Sequence, residues 1–162
     1  MIISIQYCHP KQAGKFDLFL DSIENRAIRT LISDGSEKKR LRALVDKKPA
    51  EAISSTNLQI KALTELIEKI KITDVTGIKD AEILKLRTIA YYEALLALKK
   101  IDLTEAELML ESLKNDSITA RQANMQIAEL PTKRLKIYER LAAIDLNMVK
   151  ERGRFNESND IR

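Results

Sequence analysis

The 162-residue chain predicts an all-α fold, a single-domain bundle of six or seven helices around a buried central helix at residues 80–101. Three observations lead there. The stretch DAEILKLRTIAYYEALLALKKI carries Glu93 as its sole charge between Thr88 and Leu98. A helix apolar on nearly every side must be enclosed by other helices. Residues 53–70 repeat apolar side chains at three- and four-residue steps, the helical period. Gly and Pro total 4 and 3, too few for the turns an all-β fold needs.

Composition agrees. Hydrophobic residues make up 44% and charged residues 32%, which excludes wholesale disorder. Aromatics are 4% with no Trp, so Leu, Ile and Ala must build the core. Lys85, Arg87, Glu93, Lys99 and Lys100 interrupt the central stretch, and a membrane span needs roughly 20 apolar residues in a row, so no span is expected.

Taken in order, residues 1–14 read as an extended N-terminal arm, because Ile3, Ile5 and Tyr7 alternate with polar residues. The helical domain is expected over 15–153. Its first helix, 15–33, carries Phe16, Phe19 or Leu20, Ile23, Ala27 and Leu31 on one stripe, with Asp17 and Asp21 placed to favour its N-terminal end. Asp34-Gly35 ends it with a left-handed cap. Ser36 caps a short second helix to about Lys47, whose apolar stripe is Leu41, Leu44 and Val45. Pro49 opens the third helix, to residue 71. Its seam is Ile53, Thr56, Ile60, Leu63, Ile67 and Ile70, widened by Leu58, Ala62 and Leu66.

After the central helix, Thr104-Glu105-Ala106-Glu107 has the form of a capping box, predicting a new helix over 104–114. Thr119-Ala120-Arg121-Gln122 repeats that form and predicts another to Leu130, where Pro131 disfavours continuation. The last helix should run from Pro131 to about Arg152, striped by Ile137, Leu141, Ile144 and Met148, and stop at Gly153. Residues 154–162 are polar and read as a disordered tail.

Chemistry is sparse. Cys8 and His9 are the only Cys and the only His, and neighbours in an extended segment point to opposite sides. They form no dyad, and a zinc site draws on several such ligands. Glu93 is expected at a helix edge, paired with Lys or Arg. Neither G-x-x-x-x-G-K-S/T, G-x-G-x-x-G nor H-E-x-x-H occurs. No enzyme activity, cofactor or metal is expected. A lone cysteine points to a reducing compartment, and MIISIQY has neither a basic n-region nor a long apolar h-region, so a cytoplasmic setting is expected.

Net charge is +4, but it is distributed in blocks: +4 over 36–48, −4 over 101–130 and +4 over 131–154. Such blocks suit docking as well as they suit nucleic acid. The leading expectation is a non-catalytic protein–protein interaction module, an adaptor, chaperone, or regulatory or assembly subunit. It would act through a hydrophobic helix face with charged rims, engaging a protein partner through Ile137, Leu141, Ile144 and Met148, or a second copy through that stripe or the one at 53–70. The alternative is a nucleic-acid-binding accessory protein using Lys38, Lys39, Arg40 and Arg42 within the basic segment 38–48, together with the basic C-terminal helix. No aromatic interleaves that run to stack on bases. Residues 104–114 and 120–130 also have helix-turn-helix proportions, but their acidic balance would repel phosphate.

Overall fold

A computed structural model describes residues 9–114 and 116–161. Among these, the secondary structure is entirely helical, in five α-helices. They are α1 (His9–Ile28), α2 (Ser36–Val45), α3 (Pro49–Ile72), α4 (Ala81–Ser112) and α5 (Ser117–Ser158), with a π-helical turn, Arg29–Ser33, continuing α1. The all-α class holds; the helix number is lower than expected because two predicted breaks are not breaks. No helix among the described residues is long and apolar enough to cross a membrane.

α1 starts earlier than the sequence predicts and takes in residues 9–14 of the expected arm; residues 1–8 lie outside the described residues. Its buried stripe, Ala13, Phe16, Leu20, Ile23 and Ala27, keeps helical steps throughout. With the start at His9, Asp17 and Asp21 lie too far along α1 to serve its dipole, whose influence fades within the first turn. The π-turn closes with the Asp34 N–H donating to the Arg29 carbonyl, 2.8 Å, and Gly35 takes the left-handed φ of 76°. Ser36 does not cap α2 as predicted. The π-turn leaves the Thr30 carbonyl open, and the Ser36 hydroxyl donates to it at 2.8 Å.

α4 is central, packed between α3 and α5. It runs through the predicted start at Thr104 without a break. Thr104 Oγ1 donates to the Lys100 carbonyl, 3.0 Å, the back-bond a threonine makes inside a helix. Continuing the helix buries Ala106 against Ala43 and Ala52 and turns Asp102 inward, gains that a local cap signal cannot register. The next cap is Asp116, not Thr119: its carboxylate accepts the backbone N–H groups of Ile118 (3.1 Å) and Thr119 (3.3 Å).

The expected helices 120–130 and 131–152 are one helix, α5, of 42 residues with Pro131 inside it. An interior proline costs about 3 kcal/mol. Offsetting that, residues on both sides of it pack on α4: Leu130 is buried and Arg134 reaches Asp102 at 2.9 Å. Gly153 does not stop the helix either. Beyond it, in the segment expected to be a disordered tail, Phe155 is fully buried, edge-on to Phe16 with centroids 5.7 Å apart. Asn159 ties the end down, its Nδ2 donating to the Lys79 carbonyl at 3.0 Å. Phe155, with Ile161 packed on the same cluster, anchors a stretch that is otherwise polar.

The third-helix seam is largely as expected. Leu63, Leu66, Ile67 and Ile70 meet Ile23, Ala27 and Tyr92. Thr56 is buried and satisfied by the Ala52 carbonyl, whereas Leu58 points to solvent. Glu93 stands at a helix edge beside Lys71, 3.7 Å away, as the sequence predicts.

Candidate functional site

Two polar features and one apolar cleft distinguish this bundle. The first is a buried ionic cluster joining α2, α4 and α5. Three cations, Arg40, Lys99 and Arg134, face three carboxylates, Glu37, Asp102 and Glu105. Lys99 Nζ donates to Glu37 (2.7 Å) and Asp102 (3.0 Å). Arg134 donates to Asp102 (2.9 Å) and Glu105 (2.6 Å), and Arg40 to Glu37 (2.6 Å). Gln59 of α3 adds its amide, donating to the Ser36 hydroxyl at 2.8 Å. Buried charge is tolerated when it is paired and hydrogen-bonded, and here cations and carboxylates balance.

The cluster changes the reading of the basic run. Arg40 is 5% exposed and turned into the bundle, while Lys38, Lys39 and Arg42 face solvent. Arg42 keeps a loose pair with Asp46 at 3.6 Å. The buried face of α2 is Ser36, Arg40 and Ala43; Leu41 and Val45, expected in its apolar stripe, are exposed. In the sequence, 36–48 and 101–130 stand out only as blocks of opposite charge. That Glu37 and Arg40 lie one helical turn apart was the finer signal.

Burial pushes the Glu37 carboxyl upward, but hydrogen bonds from Arg40 and Lys99 and their charge outweigh it, holding its pKa at about 2 against an ordinary 4.5. A depressed carboxyl stabilises the fold fully above its unfolded pKa and loses that contribution as pH falls towards the folded value. In urea titrations, the stability gap between wild type and Glu37→Gln should therefore be largest above pH 4.5 and shrink as pH falls towards 2. A gap independent of pH across that window would contradict the assignment.

The second polar feature ties α5 to α1. Arg152 donates to Asp17 Oδ1 (2.8 Å) and to Asp21, with Glu24 3.7 Å away. Asp17, Asp21 and Glu24 form an acidic stripe at helical spacing, a signal visible in the sequence, where Asp17 and Asp21 read as a dipole effect.

Between these two anchored regions, α1 and the π-turn stand off from α4 and α5, leaving a cleft of about 520 Å³. Its floor is apolar: Ala27, Leu31, Leu84, Tyr92, Leu95 and Met148. Ile28, Ile32 and Val149 are exposed at its edges. Glu24 and Asp145 stand on opposite walls, with Arg152 at one end. Burial, then the charge of Glu24, raises the Tyr92 hydroxyl pKa; burial, then Asp145 and Glu24, raises that of Tyr91. Both hydroxyls stay protonated beside an acidic rim.

Of the residues expected to meet a partner, Leu141 is buried, and Ile137 and Ile144 pack with it on Ala94 and Leu98. Met148 packs on the Phe16–Phe155 cluster. All four belong to the inner face of α5 and hold it on the bundle. Cys8 lies outside the described residues, and no group of three or more His, Cys, Asp or Glu among the described residues could hold a metal. No family model matches the chain, and no curated protein or solved structure is detectably similar to it.

Proposed function

We propose that this protein is a non-catalytic interaction module that receives an amphipathic helical segment of a protein partner in the cleft between α1, the π-turn, α4 and α5. The observation that carries the reading is the pairing of an apolar floor with carboxylates on both walls. A groove of that kind selects apolar anchors at helical spacing and fixes their orientation through charge at the rim. Glu24 and Asp145 favour a segment with Lys or Arg beside its apolar stripe. Arg152 is shared among Asp17, Asp21 and Glu24, three carboxylates to one cation, so it offsets only part of that preference. A nucleic-acid surface on residues 38–42 draws less support, because the central cation of the run, Arg40, faces Glu37 and Glu105.

Selection of helical peptides displayed on phage against the full chain tests this. The enriched peptides should combine apolar residues at i, i+3 or i+4 and i+7 with flanking Lys or Arg. Ile28→Glu with Ile32→Glu, both at exposed positions, should weaken the selected peptide by ~tenfold or more, because two carboxylates at the cleft edge would be desolvated against the peptide's apolar stripe. Asp145→Lys should shift the enriched flanks from basic to acidic. Binding that survives Ile28→Glu/Ile32→Glu, or flanks indifferent to Asp145→Lys, would refute the cleft as the site.

A further inference from the structure

α5 carries two apolar stripes, and the bundle uses one. The inner stripe, Leu130, Ile137, Leu141, Ile144, Met148 and Phe155, packs within the chain. On the outer face, Ile118, Met125, Leu135 and Leu146 are each more than half exposed, and Val149, at the edge of the cleft, is exposed in line with them. Those positions obey a heptad. One column is 118, 125, 132, 139 and 146; the other is 121, 128, 135, 142 and 149, with exposed Ala128 and Ala142 supplying small members. Arg121, Thr132 and Glu139 are the polar interruptions. A seam sustained over more than four heptads is the pattern a second helix packs against.

We infer that the outer face of α5 pairs with the same face of a second copy of this chain, antiparallel, as a two-fold symmetric coiled coil. The side chains select the copy and the direction. A register centred between Thr132 and Leu135 sets Ile118 opposite Val149 of the second copy. Met125 then meets Ala142 and Glu139 meets Ala128, large against small at those two layers, while Thr132 meets Leu135 and Arg121 meets Leu146. Two-fold symmetry repeats every such match. In the same register Glu129 flanks Lys136 of the second copy, and Lys136 flanks its Glu129, two attractive pairs beside the seam. Within its own chain Glu129 has only a loose pair with Lys133, 3.7 Å. Parallel pairing in register would instead place Glu139 against Glu139 in the seam and stack alanine on alanine. It is disfavoured by charge and by packing alike.

Sedimentation of the full chain over a wide concentration range tests the inference. The wild type should move from the mass of one chain to that of two. Leu135→Glu with Leu146→Glu, both at exposed positions, should hold it at one chain with an unchanged helical spectrum and the melting temperature the wild type shows when dilute enough to be a single chain. Lys136→Glu alone should weaken association several-fold, and Glu129→Lys added to it should restore association. Ile28→Glu/Ile32→Glu, which tests the cleft, should leave the mass unchanged, so the two readings stand or fall separately. A wild type that stays at one chain up to millimolar concentration overturns the inference and leaves the seam to a helix of another protein. A dimer unaffected by Leu135→Glu/Leu146→Glu overturns the surface. A dimer that Glu129→Lys fails to restore overturns the antiparallel register.

Discussion

Asp102→Ala is expected to destabilise the protein by about 3–5 kcal/mol, the range for breaking a buried ion pair by removing one partner. Asp102 is 4% exposed and accepts from both Lys99 and Arg134, with Arg40 at 3.9 Å. Without it, three cations from three helices share Glu37 and Glu105. Arg40 and Lys99, 5% and 8% exposed, cannot be rehydrated without opening α2 from α4. The cluster acts as a unit, so the effects of removing its members should not add. Arg134→Ala introduced on top of Asp102→Ala restores the balance of charge, and the double variant should lose clearly less than the sum of the two single losses. Urea unfolding followed by circular dichroism measures both quantities. A loss below about 1 kcal/mol for Asp102→Ala, the scale of an exposed pair, would show the cluster to be hydrated.

Phe155→Ala should cost a similar amount, about 3–5 kcal/mol, as other buried Phe-to-Ala changes do. Phe155 is fully buried among Ala13, Phe16, Leu20, Val75, Ala81 and Leu84. The cavity it leaves opens where α1, the 73–80 loop, the start of α4 and the end of α5 converge. Those elements have few other ways to close it. Removing residues 154–162 should do at least as much damage, since it also deletes the bond from Asn159 to the Lys79 carbonyl. Thermal melting of both variants checks this, and a truncated chain that melts with the wild type would return the segment to the status of a dispensable tail.

How much of this was legible in the sequence varies by element, for a consistent reason. Periodicity is a property of one segment; in the long helices the main stripes it gave held, while in the short α2 it failed, since Leu41 and Val45 are exposed. It located the first stripe from Phe16 to Ala27, the third-helix seam from Leu63 to Ile70, and the central helix against both its neighbours. Glu93 at a helix edge followed from the cost of burying an unpaired charge. The helix breaks failed because Thr104, Pro131 and Gly153 carry local preferences of about 1–3 kcal/mol or less, which packing of the flanking residues on α4, α2 and α1 outweighs.

Choosing between faces was the step that needed the third dimension. α5 has two heptad stripes about half a turn apart, and either could face the core by sequence alone. Tertiary packing chose Leu141 for the inside and left Leu135 and Leu146 outside. The same holds for Arg40. A run of Lys and Arg reads as a solvated face until another element brings buried carboxylates to one of them, and Asp102 and Glu105 lie more than sixty residues away. The sequence by itself determined the helical class, the central position of α4 and the main apolar seams, because these depend on spacing within one helix. Which face turns inward, which charges meet and where a cleft remains were decided only by the tertiary structure, because they depend on pairings between distant segments that no local pattern encodes.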